Sequence, residues 1–456
     1  MKNIKNIGIL HYQVGHTDGV SLEISKWRLV LKKMGFQVHL CAGDLGADAG
    51  YLIHDLYHHG EDIKRIDRNA FGALDEFDAG ELFNEIEKVS ARLEAGLRTF
   101  IKTNAIDVLI VNNIWSVALN LPAAIALQRV CANLALPVIG HHHDFYWERR
   151  GGVVPTCQPV AQILENYFPP QDDWIKHVVI NSLAQQALAD RKELVSEVIP
   201  NVFDFDAPAW SVDGYNQDLR ARIGLRDTDV LVLQATRVIP RKAIELAIQF
   251  VKALNAPARR DELMRLGLYN GQSFIEDSRV VLVVTGYARD DMPGNYFRLL
   301  EKKARDENVD LRHVEELIAY SRHNHIAEKK YSFWDAYAVA DLVTYPSLWE
   351  GWGNQLLEAV QARLPVILFE YPVYTADIKE KGFDFISLGS QIESYDLDGL
   401  AVVNEEIIAQ AADQAVHVLT DRKQRTQMVQ HNHQVCQQHY SLHALEGMLQ
   451  DLLTSL

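Results

Sequence analysis

The chain has 456 residues, 48% of them hydrophobic, which is too long for one ordinary core and enough to fill two domains of roughly 200 residues each. Its 45 basic and 61 acidic residues give a formal net charge of −16, a field that repels nucleic-acid backbones and anionic lipid surfaces. Four scattered cysteines, Cys41, Cys131, Cys157 and Cys436, form no CxxC pair, which argues against a zinc knuckle or a disulfide framework and fits a reducing cytosol.

The opening MKNIKNIGILHYQ has an apolar run too short for a secretory signal core. No stretch approaches the roughly eighteen uninterrupted apolar residues of a membrane span. A cytoplasmic protein without stable membrane insertion is therefore expected. Short β-branched runs bounded by turn residues alternate with helical patterns, the signal for parallel sheets covered by helices on both faces. In the first half the expected strands are Asn6 to Tyr12, Gln37 to Ala42, Asp107 to Val111, Pro137 to His142, Val178 to Ile180 and Glu197 to Ile199.

HYQVGHTDGVSLEI reads as a strand, a loop containing Gly15 and Gly19, and a helix. That is either an anion-binding turn or a plain connection, for neither GxGxxG nor GxxxxGK[ST] is present. The helix SLEISKWRLVLKKMG places Leu22, Trp27, Leu29, Val30 and Met34 near helical spacing, with Gly35 as its stop. VALNLPAAIALQRVCANLALPVIG, broken by Asn120, Pro122, Gln128, Arg129 and Asn133, reads as a helix followed by a strand. In PVIGHHHDFYWERR the strand alternation puts His141 and His143 on one side and His142 on the other. His143, beside Asp144 at the strand's carboxyl end, suits either polar contact with a substrate or a satisfied place in the core. Tyr146, Trp147, Glu148 and Arg149 follow, and the aromatic rings suit stacking on sugar faces.

PNVFDFDAPAWSVDGYNQD has turn residues and little periodicity and reads as an interdomain linker. Its Asp204 to Asp206 DFD resembles a metal-binding DxD, but in a linker no metal role is expected. DVLVLQATR, RVVLVVTGY, DLVTYPS and PVILFEY then form a second set of strands, and HVEELIAYSRHNH near His313 reads as a helix and loop. Two doubly wound domains joined in this way leave a central cleft, with ligands gathered at the carboxyl ends of strands. In LQATRVIPRKAIELAIQF, Arg237 and Lys242 flank Pro240 where a strand gives way to a helix, which makes either a diphosphate cradle or a solvated turn. In YPSLWEGWGNQLLEA, Glu350 sits in a loop, Asn354 is a good N-cap type, and Glu358 lies about one turn, or roughly 6 Å, further along the helix. Two ionised carboxylates at this spacing suit the hydroxyl pairs of a sugar and a ribose, or are ordinary partners of a helix dipole, while Gly351 and Gly353 let backbone approach a ligand. HYSLHALEGMLQDLLTSL, apolar on one face, is expected to pack back on the first domain.

Taken together, these residues resemble the retaining GT-B glycosyltransferases of family four, which include sucrose-phosphate synthase, trehalose synthase and bacterial mannosyltransferases. The resemblance covers nearly the whole chain. It rests on E-x7-E from Glu350 to Glu358, on Arg237 with Lys242, and on PN at Pro200 and Asn201, NS at Asn181 and Ser182, and HD at His143 and Asp144. It implies an α/β GT-B fold of two Rossmann-like domains facing a cleft: residues 1–205 for the acceptor, 206–435 for the nucleotide-sugar donor, and a helix over 436–456 returning to the first domain. By resemblance, Arg237 and Lys242 hold the nucleotide diphosphate and replace a metal, and Glu350 contacts the donor sugar with the turn Gly351, Trp352, Gly353 and Asn354. Glu358 takes the ribose, His143 the sugar near its reacting carbon, and Gly19 the donor phosphate or acceptor. The implied reaction is metal-independent transfer of glucose or mannose, with retention, from UDP-glucose or GDP-mannose to a small soluble acceptor such as a sugar, glycerate or phosphorylated polyol. The chain departs from the family pattern at GHTDG, at ARLPVI and at Asn354, which bears on sugar and acceptor specificity. A noncatalytic carbohydrate-binding protein and a nucleotide-sugar epimerase stand as alternatives, and a homo-oligomer stays open. No nucleic-acid partner and no cofactor beyond the donor are expected.

Overall fold

A computed structural model describes residues 4–148, 152–288, 295–325 and 328–456, so Arg149 of the HDFYWER segment lies outside the described residues. The chain divides into two units, Met1–Val202 with Leu442–Leu456, and Phe203–Ser441.

The first unit is built on β1 (Asn6–Gln13), β2 (Gln37–Asp44), β3 (Tyr51–Leu52), β4 (Val108–Asn112), β5 (Val138–His142), β6 (Ile175–Val179) and β7 (Ser196–Val198). They form one sheet in the order β3-β2-β1-β4-β5-β6-β7, with every pairing parallel. Strands covered on both faces read as near-continuous apolar runs, and β4 (VLIVN) is buried throughout. β6 starts at Ile175, earlier than expected, because Lys176 and His177 interrupt its apolar run in the sequence while pairing with β5 carries them into the sheet. The Ala79–Thr103 helix begins at a capping box of Asp78 and Glu81 and buries Leu82, Ile86, Val89, Leu93 and Leu97 along one face. On the other side of the core, Leu445, Leu449 and Leu452 of the Leu442–Thr454 helix join Ile24, Trp27 and Leu31 of the Gly19–Lys33 helix in one cluster.

The second unit carries β8 (Val230–Gln234), β9 (Val280–Val284), β10 (Asp310–His313), β11 (Ile318–Ala319), β12 (His323–His325), β13 (Glu328–Ser332), β14 (Leu342–Tyr345), β15 (Val366–Leu368), β16 (Ile386–Ser387), β17 (Ser394–Tyr395) and β18 (Ala401–Val402). Its main sheet runs β10-β9-β8-β14-β15-β16, again parallel. Both units are thus doubly wound α/β, as the alternation of runs implied. HVEELIAYSRHNH departs from expectation: His313 closes β10, Glu315–Leu317 makes a single 3-10 turn, and β11 and β12 enter a small sheet with β13. A tie distant in sequence accompanies this pairing: the single proton of the Tyr215 hydroxyl is shared between the carbonyls of His323 (2.9 Å) and Lys330 (2.7 Å) on paired strands. In the DFD segment the Asp204 carboxylate accepts from the amides of Asp206 and Ala207, both at 3.2 Å, and so shapes a turn. Among the described residues no helix is long and apolar enough to cross a membrane.

Candidate active site

In the second unit β8 ends at Gln234, and the chain turns through Arg237 to a single 3-10 turn, Pro240–Lys242, that leads into the Ile244–Leu254 helix. The turn sends two cations to one carboxylate. Lys242 is buried with its ammonium on Glu350, and Arg241 donates to the other Glu350 oxygen at 2.8 Å and to the Trp349 carbonyl at 2.9 Å. Backbone joins the same two segments, since the Leu348 amide donates to the Arg241 carbonyl at 2.9 Å. Burial alone would raise the Glu350 carboxyl, but Lys242 and Arg241 outweigh it and hold the group down at about 2. Glu350 is therefore ionised at neutral pH. Burial also pulls the Lys242 ammonium below its ordinary value against the opposing pull of Glu350. Arg237 is exposed, and its charge acts on Lys242.

The loop after β14 ends in Gly353, whose φ of 131° favours glycine, and the helix Asn354–Gln361 follows at once. Gly353, not Asn354, is thus the N-cap, and no side chain caps the helix: the special backbone comes one residue earlier than the residue type suggested. Trp352 is buried, its ring edge-on to Tyr440 at 5.3 Å between centroids. Glu358, one turn into the helix, is buried and accepts from the Tyr337 hydroxyl at 2.9 Å. Two cations thus meet Glu350, while a phenol is among the partners of Glu358.

In the first unit His143 follows β5 directly. Its amide donates to Asn113 Oδ1 at 2.7 Å and its Nε2 lies 3.2 Å from Asn112 Oδ1. Burial drives its imidazole down to about 3, so it is neutral. His141 lies on the same side, stacked on Trp27 at 4.2 Å and facing His143 at 4.1 Å, while His142 meets His177 at 2.9 Å on the other, as strand alternation requires. Gly19 is the exposed first residue of its helix. The amides beside it are occupied: Asp18 accepts from Val20 (3.1 Å) and Ser21 (3.0 Å), and from the Gln13 side chain (3.0 Å). The Asp18 carboxylate is thus the N-cap of this helix. The aromatic segment turns partly inward, with Phe145 and Trp147 stacked at 4.4 Å. Glu148 accepts from the Phe145 amide at 2.7 Å, and burial raises its carboxyl to about 7.

The family described as Glycosyl transferases group 1 matches residues 216–435. Over 91% of this chain and 93% of its relative, the sequence is 41% identical to a mannosylglucosylglycerate synthase of Petrotoga mobilis. A mannosylglucosylglycerate synthase of Thermotoga maritima is 35% identical over 97% of this chain and 98% of its own. The chain belongs to the group 1 glycosyltransferases. This glycosyltransferase also resembles in fold the sucrose-phosphate synthase of Thermosynechococcus elongatus, with a TM-score of 0.58 at 13% identity over 99% of this chain and 98% of that one. The fold is GT-B, and the epimerase and binding-protein alternatives find no support.

Of the residues singled out from the sequence, the glycosyltransferase joins Lys242 to Glu350 and keeps Glu358 on the adjoining helix. Arg241 was missed. The adjacent Arg-Lys pair was its only sequence signal, and its contact with Glu350 spans 109 positions.

Proposed function

We propose that this glycosyltransferase moves a mannosyl residue from GDP-mannose to glucosylglycerate, with retention at the anomeric carbon and without a metal ion. The observation that carries the reading is the extent of identity with two enzymes named for mannosylglucosylglycerate, a product whose name sets mannose on glucosylglycerate. On this reading the unit Phe203–Ser441 is the donor domain and the first unit the acceptor domain.

Arg237, Arg241 and Lys242 hold the diphosphate and offset the charge that develops on it as the glycosidic bond breaks, the task a divalent metal performs elsewhere. Glu350, ionised and fixed by two cations, accepts from hydroxyls of the donor sugar, alongside the backbone from Gly351 to Asn354. Glu358 exchanges its Tyr337 partner for the ribose. In the first unit, His143 and Gly19 are the substrate-facing residues, and a neutral His143 either donates or accepts one hydrogen bond. For retention, the acceptor hydroxyl attacks on the face the diphosphate leaves, and a diphosphate oxygen takes its proton.

The test is incubation of the protein with GDP-mannose or UDP-glucose and glucosylglycerate, with and without EDTA, followed by mass and anomeric NMR analysis of the product. Release of GDP with an α-mannosyl product, unaffected by EDTA, is expected. Turnover of UDP-glucose alone, an inverted product, or EDTA inhibition reversed by manganese overturns the corresponding part.

A further inference from the structure

The Glu350-to-Gly353 turn is backed by two buried tyrosines that no role above uses. Tyr345 closes β14, and Tyr371 lies just beyond β15. Their rings meet edge to face, with centroids 5.9 Å apart and planes at 80°. The Tyr371 hydroxyl donates to the Trp352 carbonyl at 2.7 Å. A Cβ on Gly353 would run into that same hydroxyl oxygen, so the residue must be glycine both for its φ and for space. Tyr345 reaches the charged side of the turn, with its ring centroid 5.4 Å from the Lys242 ammonium. Burial, reinforced by the Glu350 charge, pushes both phenols well above their ordinary value, so both are neutral hydroxyls.

A buried backbone carbonyl outside regular structure needs a hydrogen-bond partner. Here a fully buried phenol holds it. The peptide unit is planar and trans, so a fixed Trp352 carbonyl fixes the Gly353 N–H on the opposite side, pointing away from Tyr371. We propose that Tyr371 is a positioning residue for the donor sugar, holding the Trp352–Gly353 peptide so that the Gly353 amide is presented to a sugar hydroxyl. The inference rests on the reading that this turn binds the donor sugar.

The test is Tyr371→Phe, which removes one oxygen and keeps the ring. A slightly misplaced donor costs rate without costing nucleotide affinity, so kcat/KM with GDP-mannose should fall about tenfold or more while the Kd for GDP stays within about twofold. Discrimination between GDP-mannose and GDP-glucose, which share a nucleotide, should narrow in the variant, because a loosened turn reads hydroxyl geometry less sharply. Wild-type kcat/KM and wild-type discrimination in Tyr371→Phe would overturn the inference, as would a loss of GDP affinity as large as the loss of kcat/KM. Glu350→Ala separates the two levels. If it stays active, the donor-site reading has failed; if it is inactive while Tyr371→Phe is normal, only the role of Tyr371 has failed.

Discussion

Glu350 holds a charge in a buried place because Lys242 and Arg241 both touch it. Deleting one partner of such a group strands the other, a loss on the order of 3–5 kcal/mol for a fully buried pair. Lys242 is that partner, so Lys242→Ala should destabilise the protein as well as stop transfer. Arg241 is about one-third exposed, and Arg241→Ala should leave the melting temperature nearly unchanged while raising the KM for the nucleotide sugar about tenfold. Thermal unfolding beside donor kinetics checks the pair, and equal stability losses for the two variants would contradict it. The acids were legible in the sequence because they flank a glycine turn. Their partners were not, since no local pattern reports that Arg241 meets a carboxylate 109 positions on, or that Tyr337 meets Glu358.

At the scale of elements, β5 runs straight into His143 and keeps its imidazoles out of water on both faces. Burial drives His141 and His142 well below their ordinary value, His143 to about 3 and His177 of β6 to about 4. The sign follows from which state binds the proton. The unfolded chain takes protons near pH 6.5 while the folded one refuses them, so stability is complete above that pH and declines as pH falls toward the folded values. Each such histidine removes up to about 1.4 kcal/mol per pH unit below about 6.5. The melting temperature should therefore drop steeply between pH 6.5 and 5. A flat profile over that range would show that these imidazoles are not held neutral. The alternation of the three histidines followed from strand geometry alone, whereas the stacking of His141 on Trp27 depends on where a distant helix lands. Likewise the parallel strands showed as apolar runs, but β11 is only two residues long and β12 and β13 are short and polar, so they do not signal a sheet.

For the whole molecule, the chain ends by returning to the unit in which it began. Leu449 of the last helix is fully buried in the same core cluster as Trp27 and Leu31. Leu449→Ala should cost about 2–5 kcal/mol in denaturant unfolding, since the site is closed on all sides. A loss below about 0.5 kcal/mol, the range of a surface substitution, would mean the helix is not docked there. The amphipathic pattern of this segment was plain in the sequence, while the register of its leucines against the first helix was not. The most direct test of the account is steady-state transfer from GDP-mannose to glucosylglycerate by the wild type, Glu350→Gln and Lys242→Met. Orders-of-magnitude losses of kcat/KM in both variants, with the fold intact by circular dichroism, are predicted. Wild-type rates in either variant would contradict it.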